Sequence, residues 1–232
     1  MMKKILLLGD SRRQGYEPYV RELLAGRAEV HGPAENGRWA GYTLNSLRFW
    51  LDQFPVPDIV HWNCGLWDLG DDYHIGRPFS LPEEYESAVD RTVIVLRKLF
   101  PGVQIIMATT MPTTGPDHTG IIAYNNIIKK VAEKYGLPVD DLYAGFHDKM
   151  VTYDRGDHLH LNVEGNTLVA KQVISAIEPY LSGGNGDAAA HHRRNGPAQR
   201  PGNGPGAGSG PRGLGAQPGQ QARAGGRACA HR

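Results

Sequence analysis

Two short strings hold residue types that could do nucleophilic chemistry, and they stand at opposite ends of the apolar part of the chain. Gly9-Asp10-Ser11 lies near the start, and Asp157-His158-Leu159-His160 lies far downstream, followed by Leu161-Asn162. A serine hydroxyl is a poor nucleophile until a base takes its proton, and that base needs an orienting partner. An aspartate and a histidine three positions apart on one loop can meet each other and still face a distant serine. Plainer readings stay open. Ser11 could be a helix N-cap. Asp157 could cap the following helix beside a surface histidine. Asp157, His158 and His160 are also possible metal ligands, without a clear further ligand set beside them.

The intervening sequence alternates strands and helices. Ile5 to Leu8 is a continuous apolar run ended by Gly9, the pattern of a buried parallel strand. Further strands are expected at 28–31, 58–62, 103–108 and 139–142. Helices are expected at about 17–24, 43–54, 82–100, 121–135 and 163–181. Ser80 is a good N-cap for the third of these, with Pro82 and two glutamates in its first turn. Such alternation predicts an α/β fold, a parallel sheet of about five strands with helices on both faces. Ligands of such sheets bind beyond the carboxyl ends of the strands, where both strings fall.

Taken together, the two strings resemble those of the SGNH or GDSL-type serine hydrolases, over roughly residues 3–181. The first family block, Gly-Asp-Ser, is matched by Gly9, Asp10 and Ser11. The last, Asp-x-x-His, is matched by Asp157 and His160, with Asn162 after it. The resemblance implies a flavodoxin-like three-layer α/β/α sandwich. It makes Ser11 the nucleophile, His160 the base and Asp157 its orienter. It also implies an oxyanion hole built from the Ser11 N–H, a glycine N–H and an asparagine amide. Ala40-Gly41-Tyr42-Thr43 resembles the family's Ser-Gly-x-Thr and nominates Gly41, with Gly37 as competitor. The family's Gly-x-Asn-Asp is met only by Gly65-Leu66-Trp67-Asp68, so Asn63 is expected to supply the missing amide. The string Gly9-Asp10-Ser11-Arg12-Arg13-Gln14-Gly15-Tyr16 is similar to a bacterial subgroup near sugar-ester hydrolases.

A short-chain carboxylic ester hydrolase is therefore expected, acting on O-acetyl groups of a carbohydrate, with Trp62, Trp67, Tyr73 and His74 placed to stack on a sugar. The rivals are an O-acyltransferase with the same triad and a catalytically silent carbohydrate-binding module. No metal or organic cofactor is implied. Cys64 reads as a buried inert thiol and His61 as a core or wall residue. The sequence lacks a Gly-x-Ser-x-Gly elbow and a Walker motif, which sets aside α/β-hydrolases and P-loop NTPases.

Composition divides the chain at about Ser182. Residues 183–232 hold 14 of the 30 glycines, and Leu214 is their one large aliphatic residue. This Gly/Pro/Arg-rich tail is predicted to be disordered, because it cannot bury enough apolar surface to offset its ordering entropy. Residues 1–182 are expected to form the hydrolase domain. The tail carries seven of the 25 Lys and Arg but one of the 24 Asp and Glu, which leaves the body mildly acidic. An acidic body argues against a nucleic-acid enzyme. The two cysteines, Cys64 and Cys229, suggest no disulfide framework. The apolar run before Gly9 is too short for a signal peptide, and no window approaches a membrane span, so a cytoplasmic location is expected. The oligomeric state is left open.

Overall fold

A computed structural model describes residues 1–71, 74–115 and 117–182. The predicted tail and Tyr73 lie outside the described residues. Five strands form one parallel sheet: β1 (Lys3–Leu8), β2 (Ala28–His31), β3 (Ile59–Asn63), β4 (Gln104–Ala108) and β5 (Val139–Asp140), in the order β2-β1-β3-β4-β5. Register is set by pairs such as Ile5 with Ile59 and His61 with Ile106. All five predicted strands are present, and the flavodoxin-like sandwich follows.

The helices that cover the sheet are α1 (Ser11–Leu23), α2 (Ala40–Trp50), α4 (Pro82–Leu99), α5 (Thr119–Tyr135) and α8 (Val163–Leu181). Three short ones, α3 (Leu66–Leu69), α6 (Leu142–Phe146) and α7 (Met150–Tyr153), occupy connections. Because successive strand side chains point to opposite faces, each buried strand feeds two cores. Leu6, Leu8, Val60, Trp62, Ile105 and Met107 pack with residues of α2, α4 and α5. Ile5, Leu7, Ile59, Ile106 and Ala108 pack on the other face with Tyr16 and Val20 of α1 and Val169, Val173 and Ile177 of α8. Among the described residues no helix is long and apolar enough to cross a membrane.

Two predicted helix starts are corrected. The first helix begins at Ser11, not near Glu17, although Gly15 and Pro18 lie within it. The Asp10 cap and the burial of Tyr16 and Val20 outweigh the poor propensity of those two residues. Ser80 does not cap α4. Leu81 stands at that position, and its N–H donates to the Glu84 carboxylate at 2.8 Å. The Ser80 hydroxyl instead donates to buried Asp68 at 2.7 Å.

The strand order reverses at β1: the chain steps outward to β2, then crosses back to β3 on the other side. This switch point opens a crevice at the carboxyl ends of β1 and β3. Ser11 follows one of these strands and Asn63 ends the other.

Candidate active site

The nucleophile turn is built by close backbone approach. Gly9 has φ +155°, and a Cβ there would lie 2.7 Å from Arg13 Cβ and 3.0 Å from the Asn63 carbonyl oxygen. Only glycine lets β1 turn into α1 this tightly against β3. Asp10 is the N-cap of α1, its carboxylate accepting the Arg12 N–H at 2.9 Å. Burial raises the Asp10 carboxyl above the usual carboxylate range. The capping task thus falls to Asp10, which frees the Ser11 hydroxyl. The Ser11 backbone N–H belongs to the first turn of a helix, where N–H groups have no intrahelical acceptor.

The second string forms the tip of a narrow hairpin. The Asn162 N–H donates to the Tyr153 carbonyl at 2.7 Å, and the Arg155 N–H to the His160 carbonyl at 3.0 Å. Asp154 and Leu161 form an antiparallel bridge between them. The tip turns through Gly156 at φ +103° and His158 at φ +65°, the latter a strained conformation for a side-chain-bearing residue. His158 is held there by its N–H to the Asp154 carboxylate at 3.0 Å and its ring Nδ1 on the Thr114 hydroxyl at 2.9 Å. The cap of α8 is Asn162, which accepts the Gly165 N–H at 2.9 Å, so Asp157 is not spent on that helix.

Across the tip runs one chain of hydrogen bonds. Asp157 Oδ1 accepts the backbone N–H groups of Leu159 at 3.0 Å and His160 at 2.7 Å. Asp157 Oδ2 lies 2.8 Å from His160 Nδ1, and His160 Nε2 lies 2.7 Å from Ser11 Oγ. The backbone N–H of His160, the His160 ring and Arg155 hold the Asp157 carboxyl well below the usual carboxylate range. An ionised carboxylate only accepts, so Nδ1 carries the imidazole proton. The Nε2 lone pair therefore faces the Ser11 hydroxyl. This is the arrangement a base needs to take a proton from serine. Among the described residues, no three His, Cys, Asp or Glu side chains are grouped to hold a metal ion.

Arg12 binds the two strings together, and sequence reasoning missed it. Its side chain is almost fully buried. Nε donates to the Leu159 carbonyl at 3.0 Å, Nη1 to Met111 at 2.6 Å and Nη2 to Pro112 at 2.9 Å. One guanidinium so joins α1, the hairpin and the loop after β4. Burial brings its pKa down to about 10, with Asp10 and Asp157 opposing, so it stays charged. An arginine directly after Ser11, inside a helix, was the available signal; its burial is a tertiary fact.

The expected oxyanion residues are placed less uniformly. Asn63 ends β3, is buried, and donates one amide hydrogen to the Thr109 carbonyl at 3.2 Å. Gly41 is the second residue of α2 and lines a groove with Arg48, Glu83 and Arg91. The glycine packed on the nucleophile turn is Gly37: a Cβ there would lie 2.5 Å from the Gly9 carbonyl oxygen. The Gly37 N–H is itself donated to that oxygen at 2.9 Å. Asp68 organises this neighbourhood from below, accepting the Ala40 N–H at 3.0 Å beside the Ser80 hydroxyl. Burial pushes the Asp68 carboxyl up to about 6.

Of the expected stacking residues, Trp62 is corrected. Its ring is fully buried in the core beneath α2 and α4, leaving no face for a substrate. Strand periodicity explains the miss: Trp62 points to the face opposite His61. Trp67 lies on α3 and is 36% exposed, and His74 is exposed at φ +54°. Cys64 is buried 3.4 Å from the Tyr85 hydroxyl, and burial pushes its thiol well up, in keeping with an inert role. His61 is a core residue, with Nε2 3.0 Å from Asp140. Beside Ser11 and His160 opens a small cavity of about 50 Å³, lined also by Gly15, Met111, Leu161 and Asn166.

A three-layer α/β/α sandwich with a serine, histidine and aspartate in one hydrogen-bonded chain defines the class of serine hydrolases. Residues 7–168 match the GDSL-like lipase/acylhydrolase family, and the chain belongs to it. It is a carboxylic ester hydrolase. The fold is similar to that of the acetyl xylan esterase AlAXEase, with a TM-score of 0.61 and 23% identity over 75% of this chain and 99% of that one. It is similar to a lipase/acylhydrolase from Enterococcus faecalis, with a TM-score of 0.63 and 19% identity over 77% and 97%. Axe2, an acetylxylan esterase from Geobacillus stearothermophilus, gives 0.58 and 16% over 80% and 97%. No curated protein matches the chain in sequence.

Proposed function

We propose that the protein cleaves short-chain esters, O-acetyl groups on a carbohydrate above all, through an acyl-enzyme on Ser11. The observation that carries this reading is the chain from Ser11 Oγ through His160 to Asp157. Ser11 Oγ attacks the ester carbonyl carbon as its proton passes to His160 Nε2. Asp157 stabilises the resulting imidazolium and fixes its tautomer. The oxyanion is held by the Ser11 N–H and by the amide hydrogen that Asn63 does not give to Thr109. Collapse of the tetrahedral intermediate breaks the bond to the alcohol oxygen, which takes the proton from His160. Water then attacks the acyl-Ser11 carbonyl as His160 takes its proton; the acyl–Oγ bond breaks, Ser11 Oγ takes that proton back, and the acid leaves.

The small size of the cavity beside Ser11 supports a short acyl group over a long one. The acetyl xylan esterases among the structural neighbours support a carbohydrate alcohol. The test is a series of p-nitrophenyl esters from acetate to decanoate, beside acetylated xylo-oligosaccharides with released acetate measured. Acetate should be cleaved fastest, and the oligosaccharides should be deacetylated. Faster cleavage of decanoate overturns the short-acyl reading, and failure on the oligosaccharides overturns the carbohydrate.

A further inference from the structure

Three nitrogens converge on one oxygen of Asp157. Besides His160 Nδ1 at 2.8 Å, Oδ2 accepts the Arg155 Nε–H at 2.7 Å, and Arg155 Nη2 makes an ion pair with the same oxygen at 2.7 Å. The Arg155 backbone N–H also donates to the His160 carbonyl, so this residue grips both members of the pair. Its side chain is 56% exposed and lines the cavity beside Ser11. With the two backbone donors on Oδ1, the carboxylate has its plane fixed and its charge shared.

We propose that Arg155 is a positioning residue that sets how strongly Asp157 supports the His160 imidazolium, and thereby the acid limit of activity. The proposal rests on the triad roles given above. Arg155 and the imidazolium compete for the same oxygen. Sharing that charge with a permanent cation makes the imidazolium less favourable, so the neutral, active imidazole persists to lower pH. The other titratable groups near the pair are Asp10 and Arg12 from the α1 side, and Asp154 and His158, which bond each other within the hairpin. Arg12 spends its N–H groups on three carbonyls and makes no hydrogen bond to Asp157. Arg155 is therefore the cation in direct contact with the carboxylate.

The experiment compares wild type, Arg155→Ala and Arg155→Lys in the pH dependence of kcat/KM on p-nitrophenyl acetate. An NMR titration of the His160 ring, identified by its loss in His160→Gln, runs beside it. For Arg155→Ala the acid limb and the NMR midpoint should both move up by about half a pH unit, as expected for loss of a half-exposed cation that shares a carboxylate oxygen with the ring. The plateau should fall roughly tenfold as orientation loosens, with KM little changed. Arg155→Lys should return the limb most of the way to wild type while leaving the plateau low, because lysine keeps the charge but not the fork. The difference should shrink in about 1 M salt. An unmoved limb and an unmoved midpoint in Arg155→Ala overturn the proposal, whatever the plateau does. Should wild type cleave no ester, the functional reading fails, and the NMR midpoint still decides the role of Arg155.

Discussion

At the scale of single residues, the triad makes sharp demands. Ser11→Ala and His160→Ala should each leave the fold intact and reduce ester cleavage by more than about a thousandfold. Asp157→Asn should be nearly as severe, because an amide facing Nδ1 favours the wrong tautomer. Retention of appreciable turnover by either of the first two variants removes that residue from the mechanism. Asn63 poses a finer question. Asn63→Asp keeps the shape of the side chain and removes its N–H groups, and should lower kcat about 100-fold with KM little changed. Trp67→Phe, which deletes one indole N–H, should be mild by comparison. Melting curves must accompany both, since Asn63 also braces Thr109. A mild Asn63 variant beside a severe Trp67 variant moves the oxyanion donor to α3.

What the sequence disclosed at this scale, and what it withheld, follows from locality. The meeting of Ser11, Asp157 and His160 was legible because it follows from residue types joined to local spacing. Arg12 and Asp68 were not, because their meaning lies in contacts far along the chain or in burial, and Arg155 was not, because its contact with Asp157 depends on the hairpin turn. Trp62 was misjudged for the same reason: an aromatic near a site is a candidate until the strand's period decides its face.

At the scale of elements, the α2 entrance depends on a buried carboxyl. Asp68 receives the first N–H of α2 and the Ser80 hydroxyl, and its pKa rises from 3.8 to about 6 through burial. For an acid raised on folding, the folded state binds the proton more tightly than the unfolded one. This group therefore adds stability as pH falls from about 6 toward 3.8, and it costs stability above that window. Asp68→Asn can keep both contacts without the charge. The gain in Tm of the variant over wild type should thus be larger at pH 8 than at pH 5. A difference independent of pH would mean that Asp68 titrates as an ordinary surface acid. The strands were legible as apolar runs, whereas α6, α7 and the catalytic hairpin were not, since short elements in connections carry little periodicity.

At the scale of the whole molecule, the described sandwich ends at Ser182, and the composition of the following 50 residues offers it almost no apolar surface. A chain cut after Ser182 should match the full chain in Tm and in turnover. A loss of several degrees on truncation would show that the tail docks.

The pairing of α1 with α8 has a consequence for how the protein is made. The ribosome delivers α1 well before α8, yet Tyr16 and Val20 share one core with Val169, Val173 and Ile177. Until α8 emerges, Tyr16 and Val20 meet the sheet without their partners from α8, and on the proposed mechanism Ser11 lacks its base. On that mechanism Ser11 stays inert until the chain has been extended as far as His160. The base would then arrive beside the helix that completes the core over α1.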